Sequence, residues 1–279
     1  MATQNPSWLT VEQRDAPLIV SFPHTGTDIP PEIEARCASP WLARKDADWW
    51  IDQLYGGMAR DLGATIVHTA ISRTVIDVNR DPSGVSLYPG QNTTELVPTT
   101  TFDGEPLWKH GQAPDAAEIA QRRETYFAPY HAALAAEIAR LRSLHPRVAL
   151  YDCHSIRSVI PRLFEGELFV MNIGTNSGAS CAPALQGAIA GIAAASDFSY
   201  VVNGRFKGGY ITRTYGVPGD GVHAVQMELA CRGYMHETPG PVGEGYWPTP
   251  FDATYALPIR GTLRAILETC LRFAKEGSA

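Results

Sequence analysis

"LIVSFPHTGTDIP", residues 18–30, starts as a strand and ends as something else. Residues 17–22 (PLIVSF) form an apolar run of the kind a buried strand carries. Pro23 ends it, because proline has no N–H to give to a ladder. His24 follows at the carboxyl end, then a cluster of small residues and Asp28. A loop that only had to turn would need no histidine. In open α/β sheets, ligands gather beyond the carboxyl ends of the strands. This stretch therefore bears on the fold class and on where a site would lie.

Working outward, strands alternate with helices. Residues 46–61 (DADWWIDQLYGGMARD) read as a helix with Trp50, Leu54 and Met58 on one face. ATIVHT (64–69) and TVIDVN (74–79) read as short strands by their β-branched content. Residues 116–142 read as a long helix that Pro129 should kink or split. RVALYDCH (147–154) and ELFVMNIG (167–174) read as strands, 181–195 as an Ala-rich helix and YVVNG (200–204) as a strand. VHAVQMELA (222–230) reads as a strand, and 257–275 as a closing amphipathic helix. Residues 81–113 read as a loop, and 205–221, rich in glycine, as a loop or hairpin. Connections of that length are more often functional than idle. The alternation predicts one α/β domain over residues 1–279, with a mixed, centrally parallel sheet flanked by helices.

Composition narrows the functional classes. At 44% hydrophobic and 19% charged, the 279 residues suit a compact enzyme rather than a disordered chain. A net charge of −6 argues against a nucleic-acid surface. Five scattered cysteines, with no CxxC pair, argue against a disulfide framework and against a cysteine zinc knuckle. The first residues lack the basic and apolar regions of a secretory signal, and no run reaches a membrane span of roughly 18 residues, so a cytoplasmic protein is expected.

Reactive side chains collect at strand ends. The first strand runs into His24, the 147–154 strand into Asp152-Cys153-His154-Ser155, and the 222–230 strand holds Glu228. Two neutral imidazoles and a carboxylate are a standard zinc set, and a fourth position left to water makes such a site catalytic. A further carboxylate off the metal is then needed as general base. Glu228, in an otherwise apolar strand where a charge is expensive, suits that role. The acidic ligand is open among Asp28, Asp46, Asp48 and Asp52. If it is Asp48, Trp49 and Trp50 would help wall a dry site. Each residue also has a plainer reading. His24 can be a hydrogen-bonded loop residue, Asp48 a first-turn acid favoured by the helix dipole, and Glu228 one half of an Arg pair. The joint placement is what points to chemistry.

Arginines form a second constellation: Arg73 and Arg80 with Asn79 in SRTVIDVNRDP (72–82), Arg157 in SIRS and Arg213 in GGYITRTYG. The planar guanidinium fork binds carboxylates two bonds at a time, which suggests a small anionic substrate. Pairing with Asp77, Asp81 or Asp152 is the structural alternative. His223, on the Glu228 strand, is a candidate substrate or supporting contact. GxSxG is absent, and the GRFKGG run lacks P-loop spacing. Cys153 and His154 point to opposite faces of a strand, so they do not form a dyad.

Taken together and in order, SFPHTG, DADWWID, SRTVIDVNRDPSG, YDCHS, NGRFKGGYITRTYG and QMELA resemble the N-formylglutamate amidohydrolase (deformylase) family, from about residue 17 to about residue 265. The resemblance implies hydrolysis of N-formyl-L-glutamate to L-glutamate and formate, the last step of a bacterial histidine-degradation route. It implies a zinc-exopeptidase-like (phosphorylase/hydrolase-like) fold and a divalent metal, zinc in the relatives. By motif, His24, Asp48 and His154 become the metal ligands, Glu228 the base, and Asn79-Arg80 a pair for a substrate carboxylate; with Arg73 they are expected to hold the substrate carboxylates, and Arg157 and Arg213 are further expected substrate contacts, one of them stabilising the oxyanion. The relatives' HxxE spacing is not kept, since position 27 is Thr; the DWW motif is why Asp48 takes the acidic place. Two rivals remain: an amidohydrolase for another N-acyl amino acid, such as an N-acyl aspartate or N-succinyl glutamate, and a non-catalytic dicarboxylate-binding protein.

Overall fold

The computed structural model describes residues 5–86, 90, 92–238 and 240–276. The ends of the 1–279 domain expectation, and residues 87–89 and 91 of the 81–113 loop, lie outside the described residues. Among the described residues there are seven strands: β1 (Leu9–Glu12), β2 (Leu18–Phe22), β3 (Thr65–Thr69), β4 (Val148–Ile156), β5 (Met171–Gly174), β6 (Tyr200–Val202) and β7 (Val222–Ala230). They form one sheet in the order β1-β3-β2-β4-β7-β5-β6. The β3-β2-β4-β7 centre is parallel, while β1 on β3 and β5 on β7 are antiparallel. This is the mixed, centrally parallel sheet that the alternation predicts.

Helices cover both faces. They are α1 (Pro31–Glu34), α2 (Ile51–Asp61), α3 (Ala116–Arg122), α4 (Ala128–Leu144), α5 (Pro183–Ala194), α6 (Tyr210–Tyr215) and α7 (Leu257–Glu276). One apolar cluster packs α2, α5 and α7 on Leu18, Val20, Phe22, Tyr151, Cys153, Val225 and Met227. The other packs α4 and Ile211 of α6 on Ile19, Val148, Leu150, Val222 and Ala224. Alternate strand residues divide between them, as the period of two requires. On the second face the apolar series gives way to Asp152 and His154 on β4, and to Gln226 and Glu228 on β7. Asp152 is paired in register with Gln226, and His154 with Glu228. Cys153, on the opposite face, is core. No helix among the described residues is long and apolar enough to cross a membrane.

The structure differs from the predicted elements where side chains override local pattern. Residues 74–79 are turns rather than a strand. Val75, Ile76 and Val78 are apolar because they are buried in the second cluster. The Asp77 carboxylate accepts the Asn79 N–H at 2.8 Å and bends the chain there. The helix predicted from residue 46 begins at Ile51, because Trp50 sits in the left-handed region (φ 64°). The 116–142 helix is interrupted by a π-helical turn at Arg123–Phe127, just before Pro129, whose missing N–H calls for such an irregularity. The 205–221 loop contains the short α6. β1, a four-residue antiparallel edge strand, carries too little pattern to be read from sequence.

Two glycines test the packing in opposite directions. A Cβ on Gly26 would meet backbone atoms of Ala70 and Ile71 at 2.4–2.6 Å, whereas one on the exposed, helical Gly57 meets nothing within 4 Å. Gly26→Ala should therefore lower stability by about 1–3 kcal/mol, and Gly57→Ala should raise it by roughly 0.4–1 kcal/mol. Chemical denaturation midpoints compare them directly.

Candidate metal centre and substrate cleft

β2 delivers His24 and β4 delivers His154, while Asp48 comes from the turn before α2, held by its N–H to the His24 carbonyl at 3.0 Å. The backbone N–H of Ser155 reaches back to Asp48 Oδ2 at 3.1 Å. Nδ1 of His154 lies 3.0 Å from Asp48 Oδ2 and 3.1 Å from His24 Nδ1. Nδ1 of His24 is 3.7 Å from the same carboxyl oxygen. Among the described residues, these three form the one group with metal-ligand geometry, and their ligating atoms lie within 4.8 Å of one another. All three are buried.

The far nitrogens explain why the near ones converge. His24 Nε2 is 2.6 Å from Asp77 Oδ1, and His154 Nε2 is 2.9 Å from Asp152 Oδ2. An imidazole nitrogen facing a carboxylate carries the proton. The two Nδ1 atoms then face each other across 3.1 Å, with Asp48 Oδ2 3.0 Å from that of His154. Two nitrogen lone pairs facing each other would repel, so positive charge, carried by a proton or by a bound cation, is favoured among the three atoms. Two nitrogens and one oxygen, each ring oriented by a carboxylate behind it, are a donor set that fits a divalent cation.

The ionisation tendencies show the same preference for positive charge at this point. Burial works against a charged His154, yet Asp152 and Asp48 outweigh it and hold the ring well above the usual imidazole range. Burial likewise works against an ionised Asp48, but hydrogen bonds from His154 and His24 hold its carboxyl well below the usual range. Asp77 also stays ionised against its burial through His24, Arg73 and Arg80. Glu228 goes the other way. Burial, with Asp48 nearby, pushes it up to about 7, against the pull of His154, Arg73 and Arg80.

A cleft opens above this cluster. His24, His154, Glu228 and Gln226 lie in its wall, with Arg73, Asn79 and Arg80 from the 72–80 turns, Thr94 and Phe102 from the 81–113 loop, and Arg205, Phe206 and Gly209 from the glycine-rich segment. Gln226 ties two parts together: its Oε1 accepts the Gly209 N–H at 2.7 Å, and its Nε2 donates to Glu228 Oε2 at 3.1 Å. Gly209 must be glycine, because a Cβ would lie 2.4–2.5 Å from the Asn79 amide.

The predicted substrate contacts divide. Arg73 and Arg80 reach the cleft, but both lean on Asp77: Arg73 Nη2 at 2.7 Å, Arg80 Nε at 3.6 Å. Asn79 directs Nδ2 at Asp152 Oδ2 (3.4 Å), lies 3.0 Å from His154 Nε2, and accepts the Ile211 N–H on Oδ1 at 2.8 Å. Its polar atoms thus brace the imidazole and the glycine-rich segment. Arg157 pairs with Asp103 at 2.6 Å and lines a separate cavity with Lys45 and Glu105. Arg213 donates from Nε to the Gly208 carbonyl and is not among the cleft-lining residues.

Other expectations resolve plainly. Asp46 accepts the Phe102 N–H, Asp28 bridges to Ile71, and Asp52 lies in the first turn of α2, so none of them joins the cluster. Trp49 and Trp50 pack against the opposite apolar cluster rather than walling the site. His223 accepts the Ala182 N–H and packs on Phe273, at the amino end of β7, because it lies five residues before Glu228. Sequence reasoning missed Asp77 and Asp152 as orienting acids, Gln226, and Arg205. Asp152 and Gln226 each stand two residues before a functional side chain on a strand, a spacing that could have found them.

If Asp77 and Asp152 orient the ligands, Asp77→Asn and Asp152→Asn should each weaken divalent-metal retention roughly 10–100-fold. Titration of the purified variants against graded chelator measures it.

Residues 16–235 match the model of the family described as N-formylglutamate amidohydrolase. Two proteins named N-formylglutamate deformylase, from Pseudomonas aeruginosa and Pseudomonas putida, are each 42% identical over 269 residues, 96% of this chain and 97% of theirs. A crystal structure of N-formylglutamate amidohydrolase from Ralstonia eutropha JMP134 superposes with a TM-score of 0.74 at 22% identity, covering 95% of this chain and 96% of that one. A protein structure from Agrobacterium tumefaciens superposes at 0.70 with 19% identity over 94% of both. The structural pair share the fold, and the sequence matches carry the kinship: the chain belongs to the N-formylglutamate amidohydrolase family.

Proposed function

We propose that the protein hydrolyses N-formyl-L-glutamate to L-glutamate and formate, with a divalent cation, zinc by the nature of its donors, as cofactor. The supporting observation is the convergence of His24, Asp48 and His154 beneath a cleft with Glu228 in its wall. Names of relatives covering 96% of the chain point the same way. When bound by these three residues, the cation supplies Lewis acidity toward the formyl carbonyl and acidifies water.

The rest is done by side chains. Glu228, as carboxylate, takes a proton from the attacking water and delivers it to the leaving nitrogen. A pKa drawn up toward about 7 suits both halves of that exchange. Gln226 holds one Glu228 oxygen and leaves the other for the water. Arg80, with Arg73 behind it, offers positive charge to a substrate carboxylate. The position of Arg157 gives it no part in stabilising the oxyanion, and none is assigned to Arg213. A dicarboxylate-binding protein would have no use for the imidazole pair.

Such an activity belongs at the end of a histidine-degradation route. Five buried free thiols fit a reducing cytoplasm, and one continuous sheet supports a single amidohydrolase domain over 1–279.

Formate release from N-formylglutamate should be abolished by chelator and restored by added metal, and N-formylaspartate should be the poorer substrate. Metal-independent turnover would overturn the assignment. Glu228→Gln should reduce kcat about 10²–10⁴-fold with little change in substrate binding. In the wild type, kcat/KM should fall as pH drops and Glu228 gains a proton. The midpoint should lie at or below about 7, because a bound cation favours the ionised form. The variant's residual activity should lack that limb.

A further inference from the structure

We propose that Arg205 is the residue that selects an acidic side chain, by binding the substrate's distal carboxylate at the outer part of the cleft. The assignment rests on the reaction proposed above.

The cleft has an inner and an outer cationic group. Arg80 is inner: its Nε lies 3.6 Å from Asp77 Oδ2, the carboxyl group that orients His24. Arg205, from the glycine-rich segment, is fastened to the loops around the opening. Its Nε donates to the Leu163 carbonyl at 3.0 Å and its Nη2 to the Asn92 carbonyl at 2.9 Å. Its guanidinium carbon stands 5.2 Å from the centre of the Phe206 ring. Asn92 is exposed and Leu163 half-buried, whereas Arg73 and Asn79 deeper in the cleft are buried. Arg205, Phe206, Leu163 and Asn92 all line the same cleft as Glu228.

Those two bonds hold the guanidinium at the cleft. A fork held in place loses little freedom when it meets a carboxylate.

The substrate's connectivity supplies the match. The amide nitrogen is bonded to the carbon that bears the first carboxylate, so that group must lie close to the reacting atoms. The second carboxylate is separated from that carbon by two methylenes and must lie farther out. With the formyl carbon over the imidazole pair, the inner carboxylate falls to Arg80 and the outer one to Arg205. Arg73 is less available for either, since its guanidinium is paired with Asp77 at 2.7 Å and packed over Phe102.

The test compares metal-loaded wild type with Arg205→Ala and Arg205→Lys on N-formyl-L-glutamate and on the neutral isostere N-formyl-L-glutamine. Wild type should prefer the acidic substrate. Arg205→Ala should lose roughly 100-fold in kcat/KM on N-formylglutamate, chiefly through KM, and no more than about threefold on N-formylglutamine. Arg205→Lys, with the charge but not the fork, should fall between. If the neutral analogue is not turned over, its inhibition constant gives the same comparison. Equal losses on both substrates, or a fall in kcat at unchanged KM, would show that Arg205 only shapes the loop and would overturn the proposal. Should Arg205→Ala fail to fold, an unchanged substrate preference in Arg205→Lys would overturn it equally. A wild type that hydrolyses N-formylglutamate without preferring it refutes this assignment alone. A wild type inert toward N-formylglutamate refutes the proposed reaction and this assignment together.

Discussion

Two hydrogen bonds determine what this site is: Asp77 to His24 Nε2 and Asp152 to His154 Nε2. Each orients a ring, and together they turn the two Nδ1 atoms into one small buried volume beside Asp48. In a buried setting such a field is weakly screened. The protein has thus placed five polar groups around one point where positive charge is favoured. Remove either orienting acid and its ring is free to turn its proton inward, where it would compete with the metal for the same electrons.

The sheet makes this affordable in geometry. His154 and Glu228 are partners on adjacent parallel strands, so the ligand and the proposed base are positioned by the same backbone ladder. Their neighbours two residues earlier, Asp152 and Gln226, support them from the same face. The loops add what the strands lack. Asp48 comes from a turn that Trp50's left-handed backbone keeps out of α2, and the 72–80 turns bring Asp77 and the inner arginines. The glycine-rich segment closes the circle, because it touches both Asn79 and Gln226.

Strands that run into histidines and a glutamate set amid apolar neighbours were legible from sequence, as was the parallel centre of the sheet. A carboxylate buried in a strand announces itself by its cost, and a histidine at a strand's carboxyl end by its position. Less legible was everything decided by a side chain meeting something distant. TVIDVN has strand composition, but the Asp77 carboxylate takes the Asn79 N–H and bends the chain. The arginines illustrate the limit best. Arg157 and Arg205 look alike in sequence, yet one is drawn to Asp103 in another cavity and the other is pinned by two loop carbonyls at the cleft. No local pattern encodes those partners. Asp77 and Asp152 are visible in the sequence as partners for arginine, but nothing local distinguishes a residue that orients a ring from one that neutralises a guanidinium.

Strand alternation has a final consequence. β7 presents Gln226 and Glu228 on one side and Val225, Met227 and Leu229 on the other. Inserting or deleting a single codon between 222 and 226 would turn the strand over, swinging a thioether beneath the cleft and driving a carboxylate into hydrocarbon. Chemistry and cohesion would fail in the same step. For this strand, therefore, drift in length is closed to evolution even where drift in side chains is open.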